Sequence, residues 1–289
     1  MRFAYRRLGL ETGIPLAMHI HFRANMDLWD PLLLNNLAKV RPVIIFDNAG
    51  VGRSSGSVPE TYQGWADDMI AFLQALGLKQ VDLLGFSMGG IAAQMVALTA
   101  PHLIRKLILA GTTASIPSAS SVPGVVWPRE DAPAEPLAAL AGAVTPLETQ
   151  RALAFSFFGD DDAGRASFEA YWARIHERTA EPVTLDLLDR NVGSKRQMAA
   201  VIDTFKPNPR NSFDRLGELH MPVLVCNGDH DVLVPSSRSW ELMSQISNAQ
   251  LIIYPRAGHG FLWQYAELFA KHVNLFLDET EFEVPSPKL

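Results

Sequence analysis

The chain could do chemistry at Gly85-Phe86-Ser87-Met88-Gly89, a serine framed by two glycines. The aliphatic run of Val81, Leu83 and Leu84 stops at Gly85, and an apolar segment of helical spacing begins at Ile91. A strand therefore turns sharply into a helix at Ser87. Such a turn holds its serine at strained backbone angles and presents the hydroxyl, while the glycines let neighbouring elements close in. The N–H of Met88, at the helix start, then points at any anion that forms beside Ser87. G-x-S-x-G also arises by chance, so its meaning depends on whether the chain supplies a base and an acid to go with the serine. A serine hydroxyl becomes nucleophilic when a neutral imidazole takes its proton and a carboxylate holds that imidazole in the right tautomer.

Both partners stand downstream. Gly228-Asp229-His230-Asp231-Val232-Leu233-Val234-Pro235 comes after one apolar run, and Ala257-Gly258-His259-Gly260 after the next. Of the eight histidines, His259 is flanked by glycines that suit a loop bringing its backbone close to another group. His102 comes directly after a helix-ending proline, whereas His176 and His272 fall in helical patterns as surface or packing residues. Asp229 and Asp231 are both candidates for the acid, and periodicity does not separate them.

These residues need a scaffold that gathers loops far apart in sequence. Runs at 2–10, 14–21, 42–46, 81–84, 106–110, 222–226 and 250–254 read as strands, the first at a sheet edge. Helical patterns fall between them. Residues 25–37 carry Trp29, Leu32, Leu33 and Leu37 with Pro31 near the first turn. Residues 61–76 place Tyr62, Trp65, Met69, Phe72, Leu73 and Leu76 on one core-facing side before Gly77 stops the helix. Alternation with short links implies a parallel sheet with right-handed crossovers, whose strand carboxyl ends share one edge. Ser87, Asp231 and His259 would meet there.

The texture changes at 112. Serine and proline dominate 115–136, and helical patterns then succeed one another at 149–158, 162–178, 182–192 and 195–205 without strands. This organisation divides the chain into a core at 1–111 and 212–289 and a helical lid, inserted at 112–211. The lid carries Trp127, Phe155, Phe157, Phe158, Tyr171 and Trp172; half or more are expected to pack the lid on the body, and Trp127, Phe158 and Trp172 are candidates to face a substrate.

Composition narrows the function. A chain of 289 residues with 48% apolar content buries a large core. A formal charge of −6 without a basic stripe argues against nucleic-acid binding. Cys226 is the sole cysteine, so no internal disulfide forms and a reducing, cytoplasmic location fits. No apolar stretch long enough for a membrane span occurs, and residues 1–10 lack the apolar region of a signal peptide. The glycine-rich loop at 47–56 lacks the Gly-Lys-Ser/Thr ending of a phosphate cradle and a complete G-x-G-x-x-G.

With these motifs in view, the chain resembles the lidded branch of the α/β-hydrolase superfamily, which includes esterases, lactonases, cofactor-free haloperoxidases and carbon–carbon bond hydrolases. The resemblance runs from Tyr5 to Leu277. It implies an α/β fold with a mostly parallel, eight-stranded twisted sheet covered by helices on both faces. The family's G-x-x-D-x-x-V-P loop aligns with Gly228, Asp231, Val234 and Pro235 and favours Asp231 as the acid. One departure stands out. Where relatives carry His-Gly and an apolar residue after the second strand, this chain has Ile20-His21-Phe22. Phe22 then inherits the second oxyanion N–H beside that of Met88, and His21 and Arg23 either touch a polar or acidic part of the substrate or serve as loop residues.

The expected activity is a serine hydrolase that opens a carboxylic ester or lactone through an acyl-enzyme, without metal or cofactor. Its partner is a small, apolar substrate, and a homo-oligomer is compatible with the sequence. Two rivals share the fold: carbon–carbon bond cleavage or peroxide-dependent acyl transfer on the same three residues, and a slow or non-catalytic receptor that closes its lid on a ligand. Dehalogenation is disfavoured because it needs a carboxylate at position 87.

Overall fold

The computed structural model describes residues 1–118, 132–181, 183 and 192–279. Its centre is a sheet in the order β1-β3-β2-β4-β5-β6-β7. The strands are β1 (Tyr5–Gly9), β2 (Leu16–His19), β3 (Pro42–Phe46), β4 (Val81–Phe86), β5 (Ile104–Ala110), β6 (Val223–Gly228) and β7 (Ala249–Tyr254). Only β1 runs antiparallel, pairing Tyr5 with Phe46 and Gly9 with Pro42; every other pairing is parallel. Each of the seven coincides with a run marked in the sequence. The resemblance implied eight, but the described residues hold seven.

Burial explains the strand sequences. β3 and β4 are buried at every position and read as continuous apolar runs, because helices cover both faces. β1, at the edge, alternates between exposed and half-buried residues. The one charge in β4, Asp82, is buried; Arg105 at the neighbouring strand holds it through Nε–Oδ1 and Nη2–Oδ2 contacts of 2.8 and 2.6 Å.

The helices of the body obey their sequence signals. Helix α1 (Pro31–Ala38) starts at a proline whose missing N–H costs nothing there, with the Asp30 carboxylate accepting from the N–H of Leu32. Helix α2 (Tyr62–Ala75) is capped by Thr61 and buries Tyr62, Trp65, Met69, Phe72 and Leu73. Helix α3 (Met88–Thr99) is buried along nearly its whole length.

Between β5 and β6 come four α-helices and no strand among the described residues: α4 (Ala134–Gly142), α5 (Pro146–Phe157), α6 (Asp162–Ile175) and α7 (Gly193–Thr204). Helix α4 begins inside the stretch that looked like a Ser/Pro loop. Pro136 reads as a breaker, yet it occupies the first turn, where no backbone N–H is needed. Of the helix expected at 182–192, nearly all lies outside the described residues, as does Trp127. The chain returns through β6, α8 (Ser236–Gln245) and β7 to α9 (Phe261–Gln264) and α10 (Ala266–Asp278). The last two form the closing helix, broken at Tyr265.

Candidate active site

At the carboxyl end of β4 the chain bends as its sequence predicts. Ser87 has φ 57° and ψ −121°, a left-handed conformation that costs a non-glycine residue energy, and α3 starts at the next residue. The bend is held from both sides: the Ser87 N–H donates to the carbonyl of Ala110 at 2.9 Å, and the Thr112 hydroxyl donates to the Ser87 carbonyl at 2.7 Å. Glycine is required around it. A Cβ at Gly85 would collide with the backbone of Gly89 and Gly90, and one at Gly89 would collide with the carbonyl of His19 on β2.

The loops after β6 and β7 meet beside this bend. His259 is fully buried, and its Nδ1 lies 2.6 Å from Asp231 Oδ2. A carboxylate only accepts, so Nδ1 carries the proton and Nε2 presents its lone pair. That Nε2 is buried and has no hydrogen-bond partner among the described residues. Asp231 is fixed in turn, because its other oxygen accepts from the N–H groups of Leu233 and Val234, both at 2.8 Å. Asp229, its rival, points elsewhere, to the His230 ring and the Ala257 N–H.

Contacts through one segment tie His259 to the serine. The imidazole stacks on Phe86, with centroids 5.0 Å apart, and lies against Gly111, where a Cβ would sit 3.2 Å from His259 Cε1. Gly111 (φ 51°) thus allows the close approach, and its two neighbours are the residues that hold Ser87 by its backbone. Sequence elements 87, 231 and 259 therefore converge on one edge of the sheet.

A cleft of about 450 Å³ opens at Ser87 and Met88. Its walls come from the body through His21, Phe22, Tyr62 and Ile91, from the segment after β5 through Thr112 and Thr113, and from the inserted helices through Leu137, Leu140, Phe157, Val201 and Phe205. Leu233 to Pro235 and Arg238 close the remaining side. This volume and largely apolar lining suit a small organic molecule.

The expected substrate contacts fare differently. His21 and Phe22 line the cleft. Arg23 does not: with φ 59° it turns to the inserted helices, where its guanidinium donates to the carbonyls of Leu140, Ala141 and Ala143 at the end of α4, while its N–H donates to Gln197 on α7. Cations suit exposed helix carbonyls, which is why the position takes an arginine. Phe158 and Trp172 also pack rather than line the cleft, Phe158 against Phe168, Tyr171 and Trp263, Trp172 against Phe168 and His176. The adjacent Phe157 takes the wall position, touching the rings of His21 and His259 at 4.8 Å each. Sequence reading missed Tyr62 as a wall residue because its place on the buried stripe of α2 made it look like core; its hydroxyl is nevertheless buried and unpartnered among the described residues, and burial raises its pKa.

The remaining loops build rather than bind. The glycine-rich loop at 47–56 folds around the Asp47 carboxylate, which accepts from the N–H groups of Met26 and Arg53. No group of three or more metal-ligating side chains occurs among the described residues, and no helix among them is long and apolar enough to cross a membrane.

A family model described as alpha/beta hydrolase fold matches residues 12–265. The chain belongs to this family. Among α/β-hydrolase relatives, a 2-hydroxy-6-oxononadienedioate/2-hydroxy-6-oxononatrienedioate hydrolase of Dechloromonas aromatica is 30% identical over 246 residues, spanning 81% of this chain and 75% of that protein. A 2-hydroxymuconate semialdehyde hydrolase of Pseudomonas putida is 28% identical over 261 residues, 84% of this chain and 79% of that one. Among solved structures, an alpha/beta hydrolase fold protein from Chitinophaga pinensis is similar at 33% identity with a TM-score of 0.81, covering 96% of this chain and 94% of the other.

Proposed function

We propose that the protein is a serine hydrolase that cleaves a carboxylic ester or lactone through an acyl-enzyme. The observation that carries this reading is the buried Asp231–His259 pair, with a lone pair left on Nε2, at the same sheet edge as a strained serine. His259 Nε2 takes the hydroxyl proton as Ser87 Oγ bonds to the carbonyl carbon, and Asp231 stabilises the imidazolium that forms. The N–H groups of Met88 and Phe22 hold the oxyanion. The imidazolium then gives its proton to the departing alkoxide, leaving the acyl group on Ser87. Water, deprotonated by the same imidazole, attacks that carbonyl and frees the acid and Ser87. The atoms balance with water alone.

In this reading residues 112–211 act as a lid over the core of 1–111 and 212–289, and Phe157, Leu140 and Val201 exclude water from the cleft. The apolar walls favour a medium-sized, uncharged acyl or alcohol group. Hydrolysis of a p-nitrophenyl ester series by wild type, abolished in Ser87→Ala, is the expected result; a Ser87→Ala protein that keeps its activity refutes the proposal.

A second reading has support from the relatives. Two are named for hydrolysis of 2-hydroxy compounds with an oxo or semialdehyde group. A ketone has only carbon bonds at its carbonyl, so hydrolysis there breaks a carbon–carbon bond. Against it, a dioate brings two carboxylates, and Arg238, the one cationic side chain among the described cleft residues, is already paired with Glu241 at 3.2 Å. Turnover of a vinylogous diketone faster than any ester would move the assignment to that reaction.

A further inference from the structure

His21 stands where the family resemblance leads one to expect glycine, and its side chain is fully buried at the wall of the cleft, one residue from Phe22. Three aromatic rings fix it edge-on: Phe157 at 4.8 Å, and Phe86 and Trp263 at 5.5 Å each. Its Nδ1 lies 3.0 Å from the carbonyl of Phe22. A carbonyl only accepts, so the proton is on Nδ1 and Nε2 carries a lone pair. That lone pair is buried and has no hydrogen-bond partner among the described residues.

Two imidazoles beside Ser87 thus have the same tautomer and different backing. His259 leans on a carboxylate, which lets it accept a full proton and hold it as a cation. His21 leans on a neutral carbonyl among aromatic rings, and burial together with the nearby His259 lowers its pKa to about 3. It stays neutral through the working range, so it serves as a hydrogen-bond acceptor and not as a second base. A buried acceptor without a partner is unfavourable, and a ligand that supplies a donor removes that penalty.

Resting on the serine-hydrolase reading above, we propose that His21 Nε2 is a specificity-determining acceptor for a hydroxyl on the substrate's acyl group, on the first or second carbon from the scissile carbonyl. Placement comes from the chain itself: consecutive residues are about 3.8 Å apart, so a carbonyl held at the Phe22 N–H puts its adjacent carbons within reach of the ring before it. The preferred substrates are esters or lactones of short hydroxy acids, with the carbon skeleton against the apolar walls.

The test compares ethyl esters of 2-hydroxybutanoate and 3-hydroxybutanoate with their O-methyl counterparts, which keep the oxygen's inductive effect and lose the donor. In wild type, kcat/KM for at least one hydroxy ester exceeds that of its methoxy partner by about tenfold or more. His21→Leu brings that ratio close to one, and His21→Gln, whose amide oxygen accepts, retains part of it. Should both histidine variants fail to fold, the wild-type ratios together with protection of Ser87 from a fluorophosphonate by the 2- and 3-hydroxy acids, against their methoxy forms, decide the matter. Hydrolysis of ethyl butanoate with hydroxy/methoxy ratios of one or below in wild type overturns the role of His21 and leaves the serine-hydrolase reading standing. Absence of both ester turnover and Ser87 labelling overturns that reading and this inference with it.

Discussion

At the scale of single residues, the site separates groups by what stands behind them. Ser87 is strained because its carbonyl and N–H are both committed to the 110–112 segment, and the cost of that strain is met by the buried strands around it. Replacing Ser87 by alanine should lower kcat by roughly four to six powers of ten with little change in substrate binding, checked by steady-state kinetics and ligand titration. The buried histidines make a second, thermodynamic prediction. His19 packs against Phe46 and Trp65, and burial lowers its pKa from 6.5 to about 4. The unfolded chain binds that proton near pH 6.5, so the native state keeps this contribution in full above pH 6.5 and loses it as pH falls towards 4, at up to about 1.4 kcal/mol per pH unit. Urea unfolding of wild type and His19→Asn between pH 7 and 4 should show the shallower slope in the variant; parallel slopes would mean that His19 is not held neutral. Ser87 and His259 stood out as candidates in the sequence because their types and flanking glycines are local, whereas Asp231 was set apart from Asp229 only by the family's loop pattern. That Phe157 stands at the cleft wall while Phe158 packs beside it was not legible there, since neighbouring aromatics differ only in which way the end of α5 turns.

Elements position these residues through close approach. The strand-to-helix bend needs the absence of a Cβ at Gly85, where Gly89 and Gly90 pass. Gly85→Ala should displace the bend and cost at least about a hundredfold in kcat/KM along with measurable stability, read from kinetics and thermal unfolding together. Arg23 shows how a side chain serves an element instead of a ligand. Its guanidinium closes the open carbonyl end of α4, so Arg23→Met should destabilise by about 2 kcal/mol and raise KM more than it lowers kcat, as a cleft wall loosens; faster proteolysis between α4 and α5 is the direct check. Parallel sense was readable from the alternation of strand and helix patterns, and all seven strands had been marked by their apolar runs; the order of the strands in the sheet comes from the structure alone. Helix α4 was hidden by its Pro136, whose position in the first turn cannot be told from that of a breaker without the helix start.

For the molecule as a whole, the inserted helices and the sheet body are joined by buried polar ties. Arg174 on α6 grips Asp30, the cap of α1, through contacts of 2.9 and 2.6 Å; the Tyr171 hydroxyl donates to the Leu28 carbonyl; and the Gly260 N–H, beside His259, donates to the carbonyl of Phe157. A buried carboxylate left alone is costly, so Arg174→Met should lose about 3 kcal/mol or more, and Arg174→Lys should recover only part because it cannot reproduce the two-pronged geometry. These ties cross long sequence separations, and no pattern in the chain announces them. They also make the insertion part of the site: the wall residue Phe157 is bonded through its backbone to the histidine loop.

Ser87 owes its proposed reactivity to an imidazole that Asp231 holds in place. The most direct measurement of that dependence is the rate of covalent labelling by a fluorophosphonate, with the modified peptide identified by mass spectrometry, in wild type, Asp231→Asn and His259→Ala. Wild type is expected to carry one adduct, on Ser87, formed at least a thousandfold faster than in His259→Ala and with a marked loss in Asp231→Asn. An adduct on another residue, or equal labelling rates in all three proteins, would contradict it.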